Sequence, residues 1–169
     1  MLSKVRQLRG EDRGNALVEF AIVLAVLLSL LFGIIDVGRA LYAYDWLYNA
    51  ARQTTRWAMV RGTFCNDPLH PLPGCPATPD GITDYVKNTN GNGLDTSGID
   101  TTQLTVTPKC RVTGGATWSV PPCAELGFVQ VQLTYNFYPI SPWFRAAVHS
   151  LHGNYYWSMS SSSQRIVQN

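Results

Sequence analysis

The chain has 169 residues and a formal net charge of +2, which leaves room for one domain beside a membrane anchor. Residues 1–14 account for this charge, with four basic and two acidic side chains, and the remainder nets zero. A neutral remainder lacks the basic surface of a nucleic-acid-binding protein, so we expect no nucleic-acid partner.

The first feature along the chain is an apolar run of 20 residues, Ala16–Ile35. At about 1.5 Å per residue, a helix of this length spans about 30 Å, the hydrocarbon thickness of a bilayer. The run carries one acid, Glu19, and an acid costs roughly 2.5–3.5 kcal/mol at mid-bilayer and less near the interface. The sequence therefore predicts a transmembrane segment at about 16–35. The free-energy cost of placing Glu19 in the bilayer indicates that this acid has a role.

The basic tail before the run favours a cytoplasmic amino terminus and a periplasmic carboxy-terminal part, by the positive-inside rule. A cleaved secretory signal is the competing interpretation of such a terminus. The run exceeds the usual core of about 7–15 residues in a signal, and no convincing small-x-small site follows it. We therefore expect a single-pass anchor in the inner membrane.

Beyond Ile35 the pattern changes from apolar all round to amphipathic. Apolar or small residues recur in steps of four and three, at Val37, Leu41, Tyr44, Tyr48, Ala51, Thr55 and Ala58, which is the period of a helix. We expect one long helix over residues 15–62 that ends at Arg61–Gly62, where glycine supplies a left-handed cap. Such a helix favours an assembly element, and its outer half packing on the chain's own domain explains the pattern equally well.

Residues 63–169 are expected to form an extracytoplasmic domain. Its predicted elements are a proline-rich loop at Thr63–Pro79, a short helix at Ile82–Asn88, an exposed loop at Asn88–Gly98, a strand at Leu104–Thr107 that stops at Pro108, a strand at Phe128–Phe137, a short helix with Ser141 as N-cap that closes at Gly153, and a last strand around Tyr155–Met159. In Phe128–Phe137 the alternation is unambiguous, because every second residue is apolar.

Four cysteines lie in this outer part: Cys65, Cys75, Cys110 and Cys123. An even number in a small exported domain predicts disulfides, with three pairings open. Proximity favours Cys65 with Cys75 and Cys110 with Cys123, and each bridge would stabilise the fold by roughly 3 kcal/mol. The fold class is thus α+β, a long amino-terminal helix with a membrane-spanning first half and an amphipathic second half, followed by a small disulfide-stapled domain with an antiparallel sheet and short helices.

A zinc site is the alternative use of these cysteines, with Cys65, His70 and Cys75 joined by His149 or His152. The spacing contains no C-x-x-C knuckle and the expected compartment is oxidising, so we predict no metal and no other cofactor. Motifs of hydrolases, zinc proteases and phosphate-binding loops are absent from the sequence. We therefore expect neither catalytic residues nor a small-molecule substrate.

Several segments resemble one family. They are Arg13–Ala21, the Leu/Val run after it, Gly33–Arg39, Asn49–Arg56, and, towards the far end, Tyr135–Pro142 with the Ser-rich segment that reaches Arg165. Together they are similar to the TadE-like pseudopilins of tight-adherence pilus systems. The middle of the chain, with its cysteines, has no counterpart in this resemblance.

The resemblance implies a processing site. In that family a prepilin peptidase cuts after the glycine, here Gly14, which would remove a basic cytoplasmic leader (1–14) and leave Asn15 as the new terminus. Glu19 and Phe20 would then stand at the fifth and sixth mature positions and serve in assembly. The new amine of Asn15 lies one helical turn from Glu19 and would offset its charge, in the same chain or in a neighbouring subunit.

The function implied is that of a minor pseudopilin that takes part in the assembly or priming of the pilus and is not an enzyme. Its expected partners are the inner membrane, the prepilin peptidase, other pseudopilins or the pilin, and proteins of the assembly platform. The alternative is an uncleaved, single-pass anchored periplasmic or surface binding or adhesion domain, in which Gly14 is only a flexible joint and Glu19 snorkels to the interface.

Overall fold

A computed structural model of the chain describes residues 4–62, 75–111, 118–121 and 127–166, with side chains from Gly14 onward. Within these ranges the helices are α1 (Lys4–Met59), α2 (Pro79–Lys87) and α3 (Pro142–His152), and a short 3-10 helix spans Thr101–Gln103. The strands are β1 (Leu104–Arg111), β2 (Phe128–Phe137) and β3 (Trp157–Ile166). The long helix, the small sheet and the short helices confirm the predicted α+β architecture.

Strand β2 is the centre of an antiparallel sheet in the order β1-β2-β3. Phe128 pairs with Arg111 on one side and with Ile166 on the other. One face of β2 is buried under α1, namely Val129, Val131, Leu133, Tyr135 and Phe137. The period of two in the sequence therefore predicted the buried face of this strand correctly.

Strand β1 continues through Pro108 as far as Arg111, so the expected stop at Pro108 is wrong. The reason is the side to which the proline nitrogen points. Cys110 exchanges backbone hydrogen bonds of 2.8 and 2.7 Å with Ser119, on the side of β1 away from β2. Pro108 lies two residues earlier, so its nitrogen faces the same outer side and removes no hydrogen bond to β2.

The buried face of α1 differs from the one predicted. Val37, Leu41, Tyr44 and Tyr48 are exposed, and the predicted face is buried only from Ala51 onward. The residues of α1 packed on the domain are Asp36, Ala40, Ala43, Leu47, Ala50, Ala51, Thr54, Thr55 and Ala58. Small side chains let the helix axis approach the sheet closely, so size as well as hydrophobicity selects the face that is buried.

Strands β2 and β3 run alongside α1. At one end the guanidinium of Arg39 lies over the ring of Phe137, 5.3 Å from its centroid. At the other end Thr55 Oγ1 donates to the carbonyl of Ala51 at 2.7 Å and lies 3.3 Å from the carbonyl oxygen of Ser163. Since Arg39 is near the apolar run and Thr55 is far from it, the connection between β2 and β3 lies at the end of the domain nearest that run. This connection contains α3.

Helix α2 and the loop after it are held by aromatic side chains of α1. Trp57 stacks on Tyr85 with ring centroids 4.9 Å apart. Tyr42 donates its hydroxyl to the carbonyl of Ser97 at 2.8 Å, and Trp46 Nε1 donates to the carbonyl of Asp95 at 2.7 Å. Aromatic residues of α1 therefore bind both α2 and the loop that follows it.

Candidate functional site

The predicted processing and assembly residues lie on one uninterrupted helix. Gly14, Asn15, Glu19 and Phe20 are all exposed residues of α1, which begins ten residues earlier at Lys4. A Cβ added to Gly14 would meet no atom within 4 Å. Among the described side chains, none forms a hydrogen bond or an ion pair with Glu19. Within the part of the chain that the structure describes, the Gly14–Asn15 bond is therefore exposed and no side chain pairs with the carboxylate of Glu19.

The apolar run of α1 has almost no cover from the rest of the chain. Helix α1 is long and apolar enough to cross a membrane, and none of its most apolar 18-residue stretch is buried. Large apolar side chains are exposed along it from Leu17 to Ile35. This continuous surface is far larger than the apolar patches of a few hundred Å² on soluble monomers. Lipid or other apolar helices are therefore the surroundings it fits.

A buried carboxylate lies at the first turn beyond this run. Asp36 is 1% exposed and contacts the segment that begins α3. Its Oδ1 accepts the N–H of Ile140 at 2.9 Å, and its Oδ2 accepts both the N–H of Ser141 at 2.8 Å and the Ser141 hydroxyl. The guanidinium of Arg39 lies 3.5 Å from Oδ1. Asp36 therefore joins the end of the apolar run to α3.

The N-terminal cap of α3 explains why a carboxylate is needed there. Ser141 occupies the N-cap position, as the sequence predicted, and its side chain makes no hydrogen bond within α3. Its hydroxyl is donated to Asp36 instead. Burial raises the pKa of Asp36, but the hydrogen bonds from Ser141 and Ile140 and the charge of Arg39 outweigh it and hold that pKa below its usual value.

The cysteines that the structure describes are oxidised. Cys75 and Cys110 are both disulfide-bonded, and no described cysteine is free. Cys65 and Cys123, together with His70, lie outside the described residues, so the proposed pairing stays a prediction. A disulfide sulfur is not a thiolate ligand, which removes Cys75 from the zinc set considered above. His149 stacks on Tyr155 at 4.2 Å, and the described residues contain no group of three metal-ligating side chains.

The family model described as TadE-like protein matches residues 14–56. Residues 14–56 form a TadE-like segment. The resemblance drawn from the sequence is thereby confirmed over about a quarter of the chain, and it indicates involvement in tight-adherence pilus systems. No curated protein and no solved structure matches the chain.

The TadE-like segment begins at Gly14 and contains Glu19, Phe20, Asp36 and Arg39. The sequence singled out Gly14, Glu19 and Phe20 for processing and assembly. It included Asp36 and Arg39 only as part of a family motif. The sequence signal that could have found the role of Asp36 is an acid set directly after an apolar run. Its partner, the Ser141-Pro142 start of α3, lies outside the TadE-like segment.

Proposed function

We propose that this chain is a minor pseudopilin of a tight-adherence pilus, anchored in the inner membrane through residues 16–35. The single observation that carries the proposal is the TadE-like match over residues 14–56. The match starts at the glycine after which a prepilin peptidase would cut. Its first half is the helix surface that the rest of the chain leaves uncovered.

Processing after Gly14 is part of the proposal. The bond to Asn15 is accessible, and it lies within α1. A peptidase must open a turn of helix to reach a peptide bond, and glycine lowers that cost because it destabilises a helix by about 1 kcal/mol relative to alanine. Removal of residues 1–14 would create the amine of Asn15 one turn from Glu19, with which none of the described side chains pairs.

The domain supplies no chemistry in this proposal. Its role is to present surfaces to other pseudopilins, to the pilin or to the assembly platform, on the periplasmic side of the membrane. The four basic residues in the short segment before the apolar run support that orientation. Fusion of a periplasm-dependent reporter enzyme at the carboxy terminus tests the orientation directly, since the reporter is active only if the domain is exported.

The decisive experiment is the mass of the mature protein in a cell that produces the pilus. We expect a chain that lacks residues 1–14, and we expect Gly14→Trp to retain them. Gly38→Trp is the control, because a Cβ at Gly38 also meets no atom within 4 Å and it lies on the same helix far from the cut. An intact Met1 in the wild-type chain would reject processing and favour the alternative, an uncleaved anchored binding or adhesion domain.

A further inference from the structure

Helix α3 lies against the last turns of the apolar run. A Cβ added to Gly33 would lie 3.0 Å from both Cη2 and Cζ2 of Trp143, so the indole packs directly on the backbone of α1. Gly33 precedes Ile35, the end of the apolar run, by two residues, or about 3 Å along the helix axis. If α1 spans a bilayer, Trp143 lies at the depth of its outer boundary.

The outward face of α3 is apolar and uncovered. Trp143 and Leu151 of α3 are 49% and 77% exposed, and Ile140, just before the helix, is 61% exposed, while Val148 is the buried residue of the helix. An open groove of about 720 Å³ separates α3 from α1, lined by residues that include Val26, Leu30, Ile34, Trp143 and Phe144. Its apolar lining is continuous with the exposed surface of the run in α1.

Aromatic and basic side chains surround this face. The ring of Tyr155 stacks on His149 at 4.2 Å and lies 5.5 Å from the guanidinium of Arg145, and Trp157 is exposed at the start of β3. No acidic residue follows Glu125 in the sequence. Tryptophan and tyrosine favour the interface between lipid and water, and cations favour the anionic headgroups there.

We propose that α3 is an interfacial helix whose outward face rests on the periplasmic surface of the inner membrane, with lipid acyl chains in the groove beside α1. The inference rests on the membrane anchoring in the proposed function. Lipid is the occupant because the groove continues the lipid-facing surface of the span and opens at the same depth. Acyl chains fill such a groove without any further partner, and α3 itself carries no acid that anionic headgroups would repel.

The attachment of α3 to α1 suits this position. The hydrogen bonds of Asp36 to Ile140 and Ser141 fix the start of α3 at the first turn beyond the span. The rest of the domain extends away from the membrane along α1, as the contact of Thr55 with Ser163 shows. Contact of α3 with lipid would therefore set the tilt of the domain relative to the membrane.

The test uses the full chain in vesicles of phosphatidylethanolamine and phosphatidylglycerol that contain a phosphatidylcholine brominated near the top of its acyl chains. The chain has five tryptophans, of which Trp143 and Trp157 lie at the end of the domain nearest the span. Bromine near the top of the acyl chains should therefore quench the fluorescence of these two. Trp143→Phe should remove about half of the quenched emission. The matched control is Trp118→Phe, because Trp118 lies beside Arg111 at the far end of the sheet. We expect that variant to keep the full quenching.

A second pair of variants adds a tryptophan to the chain instead of removing one. This pair decides the outcome if Trp143→Phe fails to fold. Leu151 and Val120 are 77% and 67% exposed, so each accepts a tryptophan without loss of packing. We expect shallow bromine to quench the new emission in Leu151→Trp and to leave that of Val120→Trp unchanged.

Equal quenching of both new tryptophans, or of neither, in chains that float with the vesicles would overturn the inference and leave the anchoring intact. Protection of Leu151→Trp together with cross-linking between α3 helices of two copies would also overturn it, in favour of a second copy as the occupant. Chains that do not float with the vesicles at all would reject the anchoring in the proposed function, and the inference with it.

Discussion

Asp36 and Ser141 are joined by two hydrogen bonds across 105 residues of chain, one from the backbone N–H and one from the hydroxyl of Ser141. Asp36 belongs to the TadE-like segment, whereas Ser141 begins α3, the helix in the connection between β2 and β3. This contact makes the last turn of the apolar run and the outer domain parts of one structural unit.

Loss of the Asp36 carboxylate is expected to destabilise the domain. Asp36→Ala leaves the part-buried N–H of Ile140 and the buried N–H and hydroxyl of Ser141 without this acceptor, which should lower the free energy of unfolding by about 3 kcal/mol. The measurement is denaturant unfolding of the full chain in detergent micelles. Asp45→Asn is the control, because Asp45 is exposed and accepts hydrogen bonds only from Asn49 on the same helix. A loss that is no larger for Asp36→Ala than for Asp45→Asn would contradict the prediction.

Acid should weaken this contact in a defined direction. The pKa of Asp36 is lowered in the folded chain, so its contribution is present above its unfolded pKa of about 3.9 and is lost as the pH falls through the lower, folded value. Wild-type stability should therefore decline below about pH 4 more steeply than that of Asp36→Asn. The pKa values of Asp95 and Asp100 are lowered too, by their hydrogen bonds to Ser97 and Thr102. The wild type and Asp36→Asn both keep Asp95 and Asp100. Parallel curves of unfolding free energy against pH would therefore show that Asp36 contributes nothing to the pH dependence.

The two glycines at the end of the span should respond differently to alanine. At Gly38 a Cβ meets nothing within 4 Å, so Gly38→Ala should stabilise α1 by about 0.5–1 kcal/mol. At Gly33 the same Cβ would press on Trp143, so the gain should be lost. Combining Gly33→Ala with Trp143→Phe removes the two indole atoms and should restore it. Unfolding of Gly38→Ala, Gly33→Ala, Trp143→Phe and the double variant measures these differences, and equal effects of both alanines would refute the packing of Trp143 on Gly33.

Features that depend on neighbouring residues could be predicted from the sequence, whereas features that depend on residues far apart in the chain could not. Strand β2 and the cap positions Ser141 and Gly153 follow from local patterns, and the structure confirms them. The buried face of α1 was predicted incorrectly before Ala51, because a hydrophobicity pattern ranks Tyr44 above Ala43 while the sheet accepts the smaller residue. The role of Asp36 depends on Ser141, which no local pattern connects to it.

The disulfide pairing remains a sequence prediction. Cys75 and Cys110 are oxidised, and we expect peptide mapping without reductant to link Cys65 to Cys75 and Cys110 to Cys123. Cys75→Ser should then lower the free energy of unfolding by roughly 3 kcal/mol, and Cys65→Ser by a similar amount, because they break the same loop. Any other linkage in the map, or unequal effects of the two substitutions, would exclude this pairing.

Glu19 should affect insertion and assembly in opposite directions. Glu19→Ala removes a charge from an apolar helix and should increase the membrane-bound fraction, while the loss of a partner for the Asn15 amine should impair pilus formation. Ser29→Ala is the control, since the Ser29 hydroxyl is exposed in the same run and bonds only to the carbonyl of Ala25. Membrane abundance, processing and piliation are compared in each strain. Normal piliation with Glu19→Ala would rule out the pairing role.

The attachment of the sheet to α1 at two separated points has a mechanical consequence. Asp36 holds the start of α3 beside the end of the apolar run, and Thr55 contacts β3 nineteen residues further along the helix, a distance of about 28 Å. A pull along the helix axis therefore loads both attachments at once, in shear, and cannot peel the domain away one contact at a time. The outer domain should therefore move with the helix as a rigid body when a force displaces the helix along its axis.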